Sequence, residues 1–318
     1  MRTMLLVNPK ATTTNHRTRD VLTKALSAAM NLTVEETAYR GHAALLARKA
    51  HASGFDAVAV LGGDGTINET VNGLLNPVDG GGDEGGAAGR PALLAIPGGS
   101  ANVFARALGL PNDPVQAVGA VLEAIGEGRR RTVGLGRALW EDQSRYFTFC
   151  SGLGYDAEVI RAVEGMRGTG RKATPARYVN TALQHYLLTD KRRPAMTVEG
   201  PGVPAAGGIF MAVISNTSPW TYVGPRPVCP TPWASFETGL DMLGLQRLGL
   251  PSMLNLMPQI IGVRDTLPTG RHLVQLHDEK EFTLSAERPV AFQLDGDYLG
   301  EVERVTFCSI PDALQVLV

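Results

Sequence analysis

The sequence predicts an α/β N-terminal domain built on a parallel sheet, followed by a second, mainly antiparallel β domain. Three observations carry this. Short apolar runs alternate with helical patterns over residues 1–131, glycine-rich turns follow two of those runs directly, and after about Arg131 the apolar segments become short, strand-like and closely spaced. Regular strand–helix alternation needs crossover helices and hence parallel pairing, whereas closely spaced strands can pair antiparallel through hairpins. At 318 residues the chain is long for one core, so a division at 131/132 follows, with 132–304 as the second domain.

In order, Met4–Val7, Leu32–Glu35, Ala57–Leu61 and Ala92–Ile96 read as strands, and 17–29, 43–52, 67–75, 102–108 and 114–127 as helices. Asn8-Pro9-Lys10, Gly62–Thr66 and Gly98–Ser100 all follow strands, so they share the rim where a parallel sheet binds its ligands. The stretch 79–89 is glycine and acid with little to bury, and reads as a flexible surface insertion. In the second domain 146–150, 208–215, 281–285, 290–294 and 302–308 read as strands, and 155–166, 176–188 and 252–262 as helices. Gly152-Leu153-Gly154-Tyr155-Asp156-Ala157 reads as a tight strand-to-helix turn.

Composition narrows the function classes. With 30 basic and 31 acidic residues, no global charge points to nucleic acid or a polybasic tail. Cys150, Cys229 and Cys308 are odd in number and widely spaced, which fits reduced packing residues better than a disulfide or zinc framework. No apolar stretch reaches membrane-spanning length, and Asn8-Pro9 cuts short the only N-terminal apolar run. A cytoplasmic enzyme is the expectation.

The chemistry concentrates in Leu61-Gly62-Gly63-Asp64-Gly65-Thr66-Ile67-Asn68-Glu69. Glycines between a buried strand and a helix let a phosphate chain approach the backbone. A carboxylate at that place is unfavourable beside phosphate unless a divalent cation lies between them, so the segment reads as a Mg-nucleotide site with Asp64 near the ion, directly or through water. Thr66 and Asn68 supply a hydroxyl and an amide, and Glu69 falls in the first turn of the next helix. Near the other end, Asp295 and Asp297 flank Gly296. Continued strand geometry would put both carboxylates on one face, and a turn would let the backbone pass close to a ligand. Either carboxylate could orient a hydroxyl and take its proton.

Gly62-Gly63-Asp64-Gly65-Thr66 resembles the nucleotide motif of the diacylglycerol kinases, sphingosine and ceramide kinases, NAD kinases and, more distantly, phosphofructokinases. Ile67-Asn68-Glu69-Thr70-Val71-Asn72-Gly73-Leu74 narrows the resemblance to bacterial lipid kinases of the diacylglycerol kinase catalytic family. Asn8-Pro9-Lys10, Thr37 ahead of Gly41-His42-Ala43, Pro97-Gly98-Gly99-Ser100-Ala101-Asn102 and Leu294-Asp295-Gly296-Asp297 follow in the family's order, so the resemblance runs from about residue 4 to the C-terminus. It implies a β-sandwich second domain, with 305–318 packing back on the first. It also implies nucleotide contacts from Asn8, Pro9, Lys10, Thr37, Gly62–Thr66, Asn68, Glu69, Gly98, Gly99, Ser100 and Asn102, ATP and Mg2+ as cofactors, and Asp297, supported by Asp295, at the place of the family's Glu base.

Four positions depart from the family. Asp297 is one methylene shorter than Glu. Ser100 and Val103 stand in the second glycine loop where many relatives have Thr and Asp, and Asn102 serves equally as ligand or helix cap. Thr238, within Ser235–Asp241, stands where relatives have the Asp of an accessory Mg site, and a neutral hydroxyl lacks the charge a hard cation needs. Arg161, Arg167, Arg171, Lys172, Arg177 and Lys191-Arg192-Arg193 form a basic concentration that reads first as a solvated face. Trp220, Tyr222 and Trp233 read as anchors of a Pro-rich loop ahead of a lipid interface. The expected function is transfer of the γ-phosphoryl of ATP to a lipid hydroxyl, most of all diacylglycerol, with sphingoid or ceramide-type acceptors next. The rivals of other classes are a soluble NAD kinase-like enzyme and a non-catalytic nucleotide-binding module. A lipid substrate entails peripheral, transient contact with the inner face of a membrane, with a homodimer left as an option.

Overall fold

A computed structural model describes residues 1–11, 16–75, 89–168, 195–263 and 265–318, and no side chain within 163–168. The expected insertion 79–89, apart from Gly89, and the expected helix 176–188 lie outside the described residues. The chain divides into two compact units, Met1–Gly134 with Asp312–Val318, and Leu135–Pro311.

The first unit alternates strand and helix: β1 (Arg2–Val7), α1 (His16–Ala29), β2 (Asn31–Glu36), α2 (His42–Ala52), β3 (Ala57–Gly62), α3 (Asp64–Leu75), β4 (Ala92–Pro97), α4 (Val103–Ala107) and α5 (Pro114–Glu127). The strands lie in the order β4-β3-β1-β2 and all pair parallel. Every residue of β3 and β4 is buried, as helices on both faces of a parallel sheet require, while β2 is a half-exposed edge. Val316 pairs parallel with Leu93 on the far side of β4. Helix α5 is bounded by local chemistry: Asp113 accepts from the Val115 and Gln116 amides, Pro114 opens the first turn, and Gly128 ends the helix left-handed.

The second unit holds most of β5 (Arg131–Trp140), then β6 (Gln143–Phe147), β7 (Cys150–Gly154), α6 (Tyr155–Gly168), β8 (Met196–Gly200), β9 (Val203–Ile209), β10 (Met211–Ser215), β11 (Thr221–Val223), β12 (Arg226–Val228), β13 (Leu240–Leu245), α7 (Leu250–Ile260), β14 (Leu273–Glu279), β15 (Glu281–Leu294) and all but the end of β16 (Asp297–Val316). The order β14-β13-β10-β7-β15-β16 is antiparallel throughout. Its core centres on Phe147, Phe282, Phe292 and Phe307, whose rings meet edge-on or tilted at 5.6–6.5 Å. The fold is thus α/β with a parallel sheet in the N-terminal region and antiparallel strands beyond it.

Several boundaries need correction: the strand expected at 146–150 spans the end of β6 and the start of β7, and the one expected at 208–215 spans the end of β9 and all of β10. The helix expected at 67–75 begins at Asp64, because the Gly63 carbonyl already accepts from the Thr66 and Ile67 amides; Glu69 therefore lies in the second turn, not the first. The separate strands expected at 281–285 and 290–294 are one strand, β15, with a register shift between Ser285 and Val290. The polar stretch Ala286–Pro289 looks like a break in sequence, but the shift absorbs it within an extended backbone. Among the described residues no helix is long and apolar enough to cross a membrane.

Candidate active site

In the first unit the chain passes from β1 to β2 on one side and then to β3 on the other, so the sheet's switch point lies between β1 and β3, at their carboxyl ends. The motifs gather there. Asn8 continues the β1–β3 ladder through its amide to the Leu61 carbonyl at 3.0 Å. Its side chain then bridges the switch point, with Nδ2 donating to Thr66 Oγ1 at 2.9 Å and Oδ1 accepting from the Lys10 amide at 2.9 Å. Pro9 and Lys10 are exposed beside it, and Thr37, partly exposed, follows β2 with its amide on the Val7 carbonyl.

The two glycine segments meet backbone to backbone. The Gly98 amide donates to the Gly62 carbonyl at 2.8 Å, and a Cβ on Gly99 would fall 2.7 Å from Gly63 Cα and 3.1 Å from Asn102 Oδ1. Glycine is required here for the approach of one loop to the other. Gly99→Ala is expected to cost about 1–3 kcal/mol through overpacking, as unfolding midpoints would show.

Asp64 stands half-exposed at the start of α3 with Gly65 beside it, and its Oδ1 accepts from the Phe104 amide at 3.1 Å. It thereby serves the N-terminus of α4, the place where Asn102 was expected as a cap. Asn102 instead is fully buried and left-handed (φ 49°), and its side chain closes the loop on itself: Oδ1 accepts from the Gly99 amide, and Nδ2 donates to the Gly99 carbonyl and to Asn112 Oδ1. Asn68 is also fully buried, with its oxygens accepting from Asn72. Glu69 accepts from the Gly41 and Ala43 amides at 2.8 and 3.3 Å, so it compensates the N-terminus of α2, whose own first turn has no acid. Asn68, Glu69 and Asn102 therefore spend these groups on the scaffold, whereas Lys10 and Ser100 are exposed and Asp64 and Gly65 are partly exposed.

In the second unit Asp295 and Gly296 form the two-residue turn between β15 and β16, with φ 49° and 80° and Leu294 paired to Asp297. This is the hairpin geometry that Asp-Gly favours, so the two carboxylates do not share a face. Asp295 is buried: Oδ2 accepts from the Thr148 amide and hydroxyl at 2.7 and 2.8 Å, and Oδ1 from the Phe149 and Cys150 amides at 3.0 and 3.1 Å. Burial pushes its pKa up, opposed by these donors. Asp297 is one-fifth exposed and its Oδ2 accepts from Arg145 Nη2 at 3.0 Å. Asp295 thus anchors the turn that presents Asp297.

Sequence reasoning missed Arg145 and a buried relay behind the turn. Gln293 Oε1 accepts from the Gly296 amide at 2.9 Å, while its Nε2 donates to Asp156 Oδ2 at 2.9 Å. These two neighbours, one needing an acceptor and one a donor, dictate the amide's orientation. A Cβ on Gly152 would collide with the Asp156 carboxylate, which explains one glycine of the Gly152–Ala157 signature. The available signal was a lone glutamine inside the apolar run Val290–Leu294. Burial raises the Asp156 pKa to about 6, with the Gln293 bond opposing. Because the folded value lies above the unfolded one, this group's stability contribution is full below the unfolded pKa and lost as pH rises through about 6. Asp156→Asn keeps an acceptor for Gln293 without the charge. It is expected to be more stable than the parent by about 2–3 kcal/mol above pH 7, with the difference vanishing near pH 4, as urea unfolding at both pH values would show.

At the accessory metal segment, Thr238 Oγ1 bonds within its own turn, to the Ser235 carbonyl at 3.1 Å. Asp241 is buried, with Oδ1 accepting from His277 and the Asp278 amide; burial raises its pKa. Among the described residues no three His, Cys, Asp or Glu side chains gather as a metal site. Of the basic residues singled out, Arg161 pairs with Glu301 at 3.0 Å; Arg171, Lys172, Arg177 and Lys191–Arg193 lie outside the described residues, as does the side chain of Arg167. Trp220 packs on the cluster around Leu243 and Leu256, whereas Trp233 is 45% exposed.

The fold is that of known kinases. A diacylglycerol kinase structure from Bacillus anthracis superposes with a TM-score of 0.69 at 19% identity, covering 99% of this chain and 96% of that one. An NAD kinase from Archaeoglobus fulgidus, solved with ATP, superposes at 0.51 and 10% identity over 99% and 93%. In sequence, the diacylglycerol kinase catalytic domain family matches residues 2–138, and a diacylglycerol kinase of Bacillus subtilis is 35% identical over 284 residues, 88% of this chain and 84% of that protein. Other curated relatives match over less, with the alignment spanning 35–41% of their own length. The chain belongs to the diacylglycerol kinase family, whose members are phosphotransferases with an alcohol acceptor.

Proposed function

We propose that the protein transfers the γ-phosphoryl group of ATP to a lipid hydroxyl, with diacylglycerol as acceptor and phosphatidic acid as product. The observation that carries this reading is the acidic residue Asp64, set at a glycine-lined helix start on the switch point of a parallel sheet. That place attracts phosphate, and a carboxylate there calls for a cation. The residues fit one: magnesium takes one or two carboxylate oxygens and fills its shell with phosphate and water, and Asp64 is a partly exposed carboxylate held in place by the Phe104 amide. Bound with ATP, magnesium supplies charge neutralisation across the phosphates.

The chain's own groups do the rest. Lys10 and the Ser100 hydroxyl are exposed for the phosphate chain, and the Asn8–Thr66 bond fixes the loop after β1 against the start of α3. Asp297 orients the acceptor hydroxyl and takes its proton as the bond to phosphorus forms. Arg145 holds one oxygen of that carboxylate, and Asp295 and Gln293 hold the turn beneath it. The enzyme works from the cytoplasmic side and meets the membrane transiently.

A screen with radiolabelled ATP over mixed micelles of diacylglycerol, ceramide and sphingoid bases, with NAD as soluble control, tests the reading. Labelled phosphatidic acid is the expected product. Labelling of NAD alone would make the protein a soluble kinase, and no transfer to any acceptor would leave a nucleotide-binding module.

A further inference from the structure

Helix α7 is polarised in an unusual sense. Leu256 and Ile260 are buried against Leu243, Leu245 and Leu248. Its amides are spent on a neighbouring loop: Asn255 Nδ2 and Gln259 Nε2 donate to the Thr269 carbonyl, and Gln259 Oε1 accepts from the Thr269 amide. What remains toward solvent is apolar. Leu250, Leu254 and Met257 recur at spacings of four and three, one stripe of a helix, and are 60%, 65% and 36% exposed. The chain leaving the helix continues the pattern with Ile261 and Val263, 38% and 84% exposed. An exposed contiguous apolar stripe marks an interaction surface.

Charge selects the occupant. Residues 242–264 contain no acidic side chain and carry Arg247 and Arg264. Arg247 is exposed at the start of α7, and Arg226 and Arg271 are exposed on neighbouring elements: the β11–β12 hairpin, which joins the end of α7 through the Val228–Ile261 bridge, and the turn before β14, whose Thr269 holds the α7 amides. An apolar helix face without an acidic residue of its own, bordered by these arginines and by the exposed Asp265, matches the interfacial region of an anionic bilayer.

We propose that the exposed face of α7, with Ile261 and Val263, is the surface by which this protein docks on an anionic lipid bilayer. The proposal rests on the lipid kinase reading for its biological setting, but its test does not depend on activity. In flotation with vesicles of phosphatidylcholine and phosphatidylglycerol (7:3), the parent protein is expected to float, and less so with phosphatidylcholine alone. Leu250→Asn/Leu254→Asn is expected to lower the vesicle-bound fraction at least tenfold, with an unchanged unfolding midpoint and unchanged phosphorylation of a short-chain diacylglycerol kept below its micellar concentration. Unaltered flotation of the double variant, or no flotation of the parent, would overturn the proposal. So would a parent dimer, seen by light scattering, that the double variant alone abolishes without change in flotation, since the face would then join two copies of the chain. Flotation that depends on the stripe in a protein inert toward every lipid would sustain the docking surface and remove the kinase reading.

Discussion

Asp64→Asn is expected to abolish phosphoryl transfer while leaving the protein folded. The substitution separates two roles of one side chain. The amide oxygen still accepts from the Phe104 N–H that the carboxylate serves at 3.1 Å, so α4 keeps its N-terminal partner. What disappears is the negative charge that would face a cation at the phosphate chain. Because catalysis of phosphoryl transfer is mainly positioning and charge neutralisation, kcat should fall by at least about 10³-fold, and added Mg2+ should not restore it. Asp64→Ala should be equally inactive and also less stable by about 1 kcal/mol, the usual penalty for a lost cap. Steady-state kinetics with calorimetric unfolding of both variants check this. A folded Asp64→Asn protein with parental kcat would remove the central claim.

The second large effect is at the β15–β16 turn. Asp297→Asn is expected to lower kcat by roughly 10²–10⁴-fold, the span of a lost general base, with little change in ATP affinity. Asp297→Glu, the residue common in the family, should retain measurable activity. Asp295→Asn should fail differently. Its carboxylate takes four donors in a buried site, and an amide nitrogen would face one or more of those N–H groups, so the lesion should be several kcal/mol of stability, about 3 or more. A parental unfolding midpoint for Asp295→Asn together with full activity for Asp297→Asn would show that the turn carries neither role.

Much of this was legible in the sequence because it rests on local pattern. The strands β1, β3 and β4 are apolar runs ending in Asn-Pro or Gly-Gly, and α5 carries its Asp-Pro start and Gly stop on its face. The glycine and carboxylate motifs were legible for the same reason. The work each glycine does was not: Gly98 and Gly99 are required by Gly62 and Gly63, more than thirty residues earlier. Likewise Glu69 reads as a ligand until α2 is folded against it, and Arg145 has no meaning beside Tyr146 and Ser144 until β15 and β16 bring Asp297 to it. Long-range pairing, not residue type, decides these roles.

The parallel pairing of Val316 with Leu93 sets the timetable of biosynthesis. Strand β4 leaves the ribosome early, yet the partner on its outer edge among the described residues, Val316, is made only about 220 residues later. At about 5–20 residues per second this interval is roughly 10–45 s, during which a fully apolar strand edge is open to pairing with other chains. Nascent chains stalled between the end of β4 and residue 312 should therefore recruit chaperones, and a stop codon that removes Asp312–Val318 should yield aggregated protein, although every residue of the glycine loops and of the Asp295–Asp297 turn is still encoded.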